Sequence, residues 1–234
     1  MRASGIWTRK KKLKVSDFFA DYVKYEEKNK IYKAPITISN HITGVDYILY
    51  MQQFDFPSLI VGATVRQTPF IGIVAEAMQC IFVDSYKAED KQMALEKTQV
   101  RLNDIMENRR FPGLLLFPEG DTNAGHSLMK FKTGAFEYFS LLKICGIKIH
   151  NDESICNNLC SRVDSSLNGM NTFFFDVTMY EFDNFDPQYT LDKHNITKDD
   201  PRAVELVIED VRYLYEYALG ITVKENNSYS EKNQ

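Results

Sequence analysis

Pro35-Ile36-Thr37-Ile38-Ser39-Asn40-His41-Ile42-Thr43-Gly44-Val45-Asp46 is the stretch on which the fold turns. The β-branched Ile36, Thr37 and Ile38 suit a pleated surface and predict a short strand over Pro35–Ser39. That strand runs straight into a polar turn carrying Asn40, His41 and Asp46, after which residues Ile48 to Gln53 read as a helix. Leu114–Phe117 repeats the pattern: an apolar run too short for a helix predicts a central strand, and Pro118-Glu119-Gly120 turns away from it. Open α/β sheets bind their ligands at polar turns of this kind, at the carboxyl ends of strands. The two turns, more than seventy residues apart, are therefore expected to meet.

Outward from these turns, strands alternate with helices. Ser58–Val61 and Cys80–Val83 read as strands, separated by a helix over Phe70–Met78 that begins beside Pro69. Lys87–Asn108 is helical, with Leu95, Leu102, Ile105 and Met106 recurring at helical spacing. Phe173–Phe182 alternates as a strand. The clearest helix is Pro201–Leu219, with Asp200 to cap it, Pro201 at its first position and Gly220 at its end. Near the N-terminus, Ser16–Lys30 reads as an amphipathic helix with Phe18, Phe19, Tyr22, Val23 and Tyr25 near one side. This rhythm predicts an α/β fold with a mostly parallel or mixed sheet and helices on both faces. The polar stretch Asn151–Met170 reads as a surface insertion. Residues 1–33 form a basic and amphipathic N-terminal segment, 34–223 the main domain and 224–234 a frayed tail.

Composition narrows the function. A chain of 234 residues with 44% hydrophobic and 26% charged residues suits one α/β domain with peripheral additions. A net charge of -4 gives no footprint for nucleic acid. The charge is uneven, because Arg9, Lys10, Lys11, Lys12 and Lys14 follow the apolar pair Ile6 and Trp7. Two readings stay open for this run, an attachment to an anionic lipid surface and a solvated tail. No apolar stretch reaches the roughly 18 residues of a spanning helix and no signal peptide is evident, so the chain is expected to lie on a membrane or stay in solution. Of the four cysteines, Cys156 and Cys160 lie near His150, but their spacing fits no common zinc pattern, and reduced structural thiols are expected with no metal.

Among four histidines, His41 alone sits in a turn after a strand with an acid placed to serve it. In one continuous helix His41 and Asp46 would stand about 140° apart, so they meet only if the segment bends, and Gly44 offers the bend. Asp46 then accepts a hydrogen bond from one ring nitrogen and leaves the other to take a proton. Taken alone, a histidine so spaced is more often an ordinary core or surface residue.

The second block tips that balance. Leu114-Leu115-Leu116-Phe117-Pro118-Glu119-Gly120, followed by Phe131-Lys132-Thr133-Gly134-Ala135-Phe136, resembles the glycerolipid acyltransferase superfamily. Within it the likeness is greatest to the lysophosphatidylcholine and lysophosphatidylethanolamine acyltransferases. Asp199-Asp200-Pro201 and Ala218-Leu219-Gly220-Ile221 resemble that branch's last helix, and the whole resemblance runs from Ala34 to Val223. It implies His41 as catalytic base with Asp46 as its partner, and a block at Phe117, Pro118, Glu119 and Gly120 that positions the acceptor's glycerol and phosphate. It also implies acyl-CoA as co-substrate without a cofactor, a lysophospholipid hydroxyl as acceptor, and an endoplasmic reticulum membrane as the setting.

Three positions depart from the family pattern. Ser85 follows Phe82-Val83-Asp84 where an arginine is common, Asp121 stands where threonine is usual, and Gly146-Ile147-Lys148-Ile149-His150 lacks a proline. Asp121 is an awkward neighbour for a phosphate. Arg66, Lys130 and Lys132 either supply the missing positive charge or are solvated surface residues. No Gly-x-Ser-x-Gly elbow is present and no cysteine is paired with a base, which favours direct transfer over an acyl-enzyme. Backbone N–H groups of the Glu119–Asp121 turn are candidate oxyanion donors. The competing expectation is a lipid- or acyl-CoA-binding protein that kept the fold and weakened the chemistry.

Overall fold

β2 (Ile36–Ser39) is the middle strand of a seven-stranded sheet. The computed structural model describes residues 6–29, 34–42, 46–53, 57–84, 88–108, 111–122, 127–150 and 175–221. The other strands are β1 (Ile6–Leu13), β3 (Ser58–Gly62), β4 (Ile81–Val83), β5 (Leu114–Leu116), β6 (Leu142–Ile149) and β7 (Phe175–Phe185), in the order β1-β7-β6-β2-β5-β3-β4. Strands β6, β2, β5, β3 and β4 are mutually parallel. β7 runs antiparallel to β6, and β1 runs parallel to β7. The sheet is therefore mixed, with a parallel centre, as the alternation of elements predicts.

β5 is buried on both faces, which is why it reads as an unbroken apolar run, while β2 keeps β-branched Ile36, Thr37 and Ile38 at the centre of the sheet. Leu114 and Leu116 join Ile36, Ile38 and Ile144 on one face, and Leu115 joins Cys145 and Ile147 on the other. The first face is covered by α4 (Ala88–Asn108) through Ala94 and Leu102, and by α6 (Ala203–Leu219) through Val207, Ile208, Val211, Leu214 and Tyr215. The second is covered by α2 (Asp46–Gln53) through Leu49 and Tyr50. The Tyr215 hydroxyl shares its proton between the carbonyls of Ile38 at 2.9 Å and Cys145 at 2.7 Å, fastening α6 across β2 and β6.

The N-terminal segment differs from expectation. The basic run lies on β1, an edge strand in register with Thr178–Phe182 of β7, so it is no solvated tail. Arg9, Lys10, Lys11 and Lys12 are exposed there, and charged side chains on an edge discourage pairing with other chains. In place of one helix over Ser16–Lys30 there is a 3-10 turn at Val15–Asp17 followed by α1 (Tyr22–Lys28). Its aromatics face inward: Phe18 packs on Phe182, and the fully buried Tyr22 stacks on Phe185. The Tyr22 hydroxyl donates to the Asn184 carbonyl at 2.9 Å.

The other elements expected from the sequence each fall within a few residues of expectation, including α3 (Ile71–Ala77), but the strand β6 went unread because Lys143 and Lys148 interrupt its apolar pattern. One helix, α5 (Pro187–His194), went unread although Asp186-Pro187 is the same start signal as Asp200-Pro201. Asp186 caps it by accepting the Gln188 N–H at 2.9 Å. At Asp200 the carboxylate accepts the Arg202 N–H at 2.8 Å, and α6 begins only at Ala203, with Gly220 closing it at φ 64°. The insertion Asn151–Met170, the tail, Gly44, Ser85, His126, Cys156 and Cys160 lie outside the described residues.

Candidate active site

β2 and β5 are parallel neighbours, so their carboxyl ends deliver Asn40-His41 and Phe117-Pro118-Glu119-Gly120 to the same edge of the sheet. The two polar turns meet there as expected. The His41 Nδ1 lies 3.2 Å from Asp46 Oδ2, the first residue of α2. The same oxygen accepts the Ile42 N–H at 2.6 Å, which gives the carboxylate a second anchor beside the ring. The Asp46 side chain is 1% exposed and the His41 side chain 22%, so the pair has a dry side and a solvent-facing side. Nε2 makes no hydrogen bond among the described residues.

Three further contacts hold His41, and sequence reasoning assigned none of them. Phe117 stacks against the imidazole at 4.2 Å between ring centres, with the planes 19° apart. Asn40, buried, clasps the backbone of Ile147 on β6, donating to its carbonyl at 2.9 Å and accepting its N–H at 2.7 Å. Glu119, also buried, accepts the backbone N–H of His41 at 2.8 Å through Oε1 and that of Met129 at 2.8 Å through Oε2. The signal for the first two lay inside the motifs, as the residues before His41 and before Pro118. Their partners are set by the sheet order, which no local pattern carries.

The other predicted site residues divide. The Pro118 carbonyl accepts the Lys132 N–H at 2.8 Å, so the loop after Ser127 folds back onto the turn. Gly120 is at φ 69°, and a Cβ there would collide with the end of the Lys132 side chain, which lies over it. Lys132 and Lys130 are exposed beside the turn. Asp121 is exposed and accepts the Thr122 N–H at 2.8 Å. The Gly120 N–H, a candidate oxyanion donor, is spent on the Phe117 carbonyl at 3.0 Å. Arg66 is not gathered to His41: its partners are Glu76, at 2.7 Å, and the ring of Phe82.

Among the described residues no thiol is poised for attack. Cys145 is fully buried and burial pushes its thiol up to about 12, while burial also raises the half-buried Cys80. His150 is occupied by Thr178, 2.8 Å from its Nε2, and no group of three metal-ligating side chains occurs among the described residues.

Fold and site together define an open α/β domain that presents a histidine–aspartate pair at the carboxyl ends of its central parallel strands. The pattern that defines the acyltransferase family matches residues 22–150, and the chain belongs to that family. Among its relatives are the lysophospholipid acyltransferases LPEAT1 and LPEAT2 of Arabidopsis thaliana. Both are 34% identical, over 100 and 103 residues, which is 42% and 44% of this chain and 25% and 18% of theirs. Lysophospholipid acyltransferase LPCAT4 of Homo sapiens is 29% identical over 105 residues, 44% of this chain and 19% of that one. The matched stretch thus spans a quarter or less of these relatives. The crystal structure of the 1-acyl-sn-glycerophosphate acyltransferase PlsC from Thermotoga maritima shares the fold, with a TM-score of 0.53 at 12% identity, over 93% of this chain and 71% of that one.

Proposed function

We propose that this domain transfers a fatty acyl group from acyl-CoA to the free hydroxyl of a lysophospholipid, at a membrane surface. The observation that carries the reading is the His41–Asp46 pair, 3.2 Å apart, with a buried carboxylate on one ring nitrogen, no protein hydrogen bond on the other among the described residues, and a ring that is partly exposed. The relatives' names, lysophospholipid acyltransferases, support the acceptor. In this reading His41 Nε2 takes the hydroxyl proton as the oxygen attacks the thioester carbonyl. The buried Asp46 favours the imidazolium that results. The tetrahedral intermediate then expels the CoA sulfur, which takes the proton back from His41, so the ester and the free thiol leave a neutral histidine. A thioester is already activated, and a positioned base supplies typically ~10²–10⁴ in rate. The high thiol pKa of Cys145 supports transfer within a ternary complex over an acyl-cysteine.

Glu119 and Asn40 act behind His41 in this scheme, and Lys130 and Lys132 offer charge to the acceptor's phosphate. The endoplasmic reticulum is the setting that the family resemblance suggests. Thiol release from long-chain acyl-CoA, measured with and without lysophosphatidylethanolamine or lysophosphatidylcholine, tests the reading. Release that depends on the lysolipid is expected. Lipid or acyl-CoA binding without release would leave a binding domain instead.

A further inference from the structure

Phe70, Ile71, Ile73 and Val74 stand in water at 82%, 58%, 71% and 43% of full exposure, although all four are large and apolar. They belong to one short piece of chain, α3 and the residue before it. The opposite face of α3 is firmly seated. Gly72 and Ala75 are buried, and a Cβ at Gly72 would collide with the Arg66 carbonyl, so the helix rests directly on the preceding 3-10 turn, Ala63–Gln67. Arg66 and Glu76, the charged residues flanking this segment in the chain, neutralise each other at 2.7 Å. Phe70 is held at φ 64°, which side chains other than glycine seldom adopt, and such strain persists only where the surroundings impose it. The apolar face is a built feature.

Its place matters as much as its composition. β3 ends at Gly62 and runs parallel to β5, itself parallel to β2, so the start of α3 lies at the same end of the sheet as His41 and Glu119. Tyr47, the residue after Asp46, touches the Met78 sulfur just beyond α3 with its hydroxyl. We propose that the Phe70–Val74 face dips into the lipid bilayer and turns the His41 end of the sheet towards it. The proposal rests on the lipid-substrate reading above, since amphiphiles with long acyl chains reach the site from a bilayer. A bilayer fits the face better than a second copy does. A stable protein interface buries about 800 Å² per partner over roughly 20–30 residues, which four side chains do not supply. A bilayer needs only uncharged apolar surface, with cations at the same level for lipid phosphates. The exposed Lys130 and Lys132 stand at that end of the sheet.

Co-sedimentation of the full chain with phosphatidylcholine vesicles tests this, comparing wild type with Ile71→Ser/Ile73→Ser and, separately, Phe70→Asn. Wild type is expected to bind with little dependence on salt. The double variant should bind about tenfold more weakly or worse, as two apolar side chains lose their exit from water, and should melt like wild type. Turnover on a short-chain lysophospholipid below its micelle concentration should be unchanged, while turnover on vesicle-borne substrate falls with binding. Equal vesicle binding by wild type and both variants overturns the proposal, as does binding that salt abolishes. A lowered melting temperature in both variants overturns it too, because the face would then be core. A chain without any acyl transfer whose vesicle binding still falls on substitution would sink the enzymatic reading and leave this one standing.

Discussion

The carboxylate of Glu119 accepts the backbone N–H of His41 at 2.8 Å, and its second oxygen accepts that of Met129. The glutamate of the second motif therefore fixes the main chain of the first, and ties both to the loop that carries Lys130 and Lys132.

Glu119→Gln puts an amide NH₂ against one of those two N–H groups, leaving a buried donor unpaired at a cost of about 1–3 kcal/mol. Because small displacements of a base are costly, kcat is expected to fall about 10- to 100-fold with the KM for acyl-CoA little changed. Steady-state kinetics varying each substrate check this. A rise confined to the acceptor KM would instead place Glu119 against the glycerol and phosphate, as the family resemblance implies.

His41→Ala should abolish turnover while the melting temperature stays near that of wild type, since the ring is stacked on Phe117 at a partly open site. Asp46→Asn should lose about 10²-fold or more in kcat, because an amide no longer favours the imidazolium. Asp46 also holds the Ile42 N–H, so a small drop in thermal stability is expected as well. Retention of most turnover by His41→Ala would end the general-base assignment.

Asn40→Ala removes both bonds to Ile147 and strands a buried N–H and a buried carbonyl. The expected loss is about 2 kcal/mol or more. For a domain of this size that is roughly a 4–8 °C fall in melting temperature. Calorimetry on the purified variant reads it directly.

Cys145 gives a pH dependence with a definite sign. Burial raises its pKa from 9.0 to about 12, so the native state holds this proton more tightly than the unfolded chain does. That contribution to stability is whole below about pH 9 and is lost as pH rises through about 12. Melting temperatures across this window should fall less steeply in Cys145→Ala than in wild type. Mass spectrometry after alkylation at pH 8 should find Cys145 unmodified until the protein is denatured.

Deleting residues 1–14 is expected to destabilise the protein, because it strips β7 of its partner strand β1. The basic run is better probed in place. Lys11→Glu/Lys12→Glu should weaken binding to anionic vesicles, at about 1 kcal/mol for each lysine near the surface, without lowering the melting temperature. Unchanged binding would show that these lysines serve only to guard the sheet edge.

The sequence by itself determined the parallel centre of the fold, because the β-branched Ile36–Ile38 and the short apolar run Leu114–Leu116 each lead into a polar turn and alternate with helical segments, a rhythm that parallel sheets require. It marked His41 and Asp46 as a candidate pair only together with the Phe117–Gly120 block, because a histidine so spaced is on its own more often an ordinary core or surface residue. The tertiary structure alone decided the place of the N-terminal segment. Arg9–Lys12 read as a tail or a membrane anchor because charge patterns are local, whereas strand pairing with Thr178–Glu181 depends on residues some 170 positions away. Phe18 and Tyr22 show the same limit, since an aromatic stripe at helical spacing looks alike whether it faces lipid or the ring of Phe185. Glu119 is the sharpest case. Its place in a motif is legible in the chain, but its partners are backbone N–H groups, which every residue carries and no sequence pattern can mark.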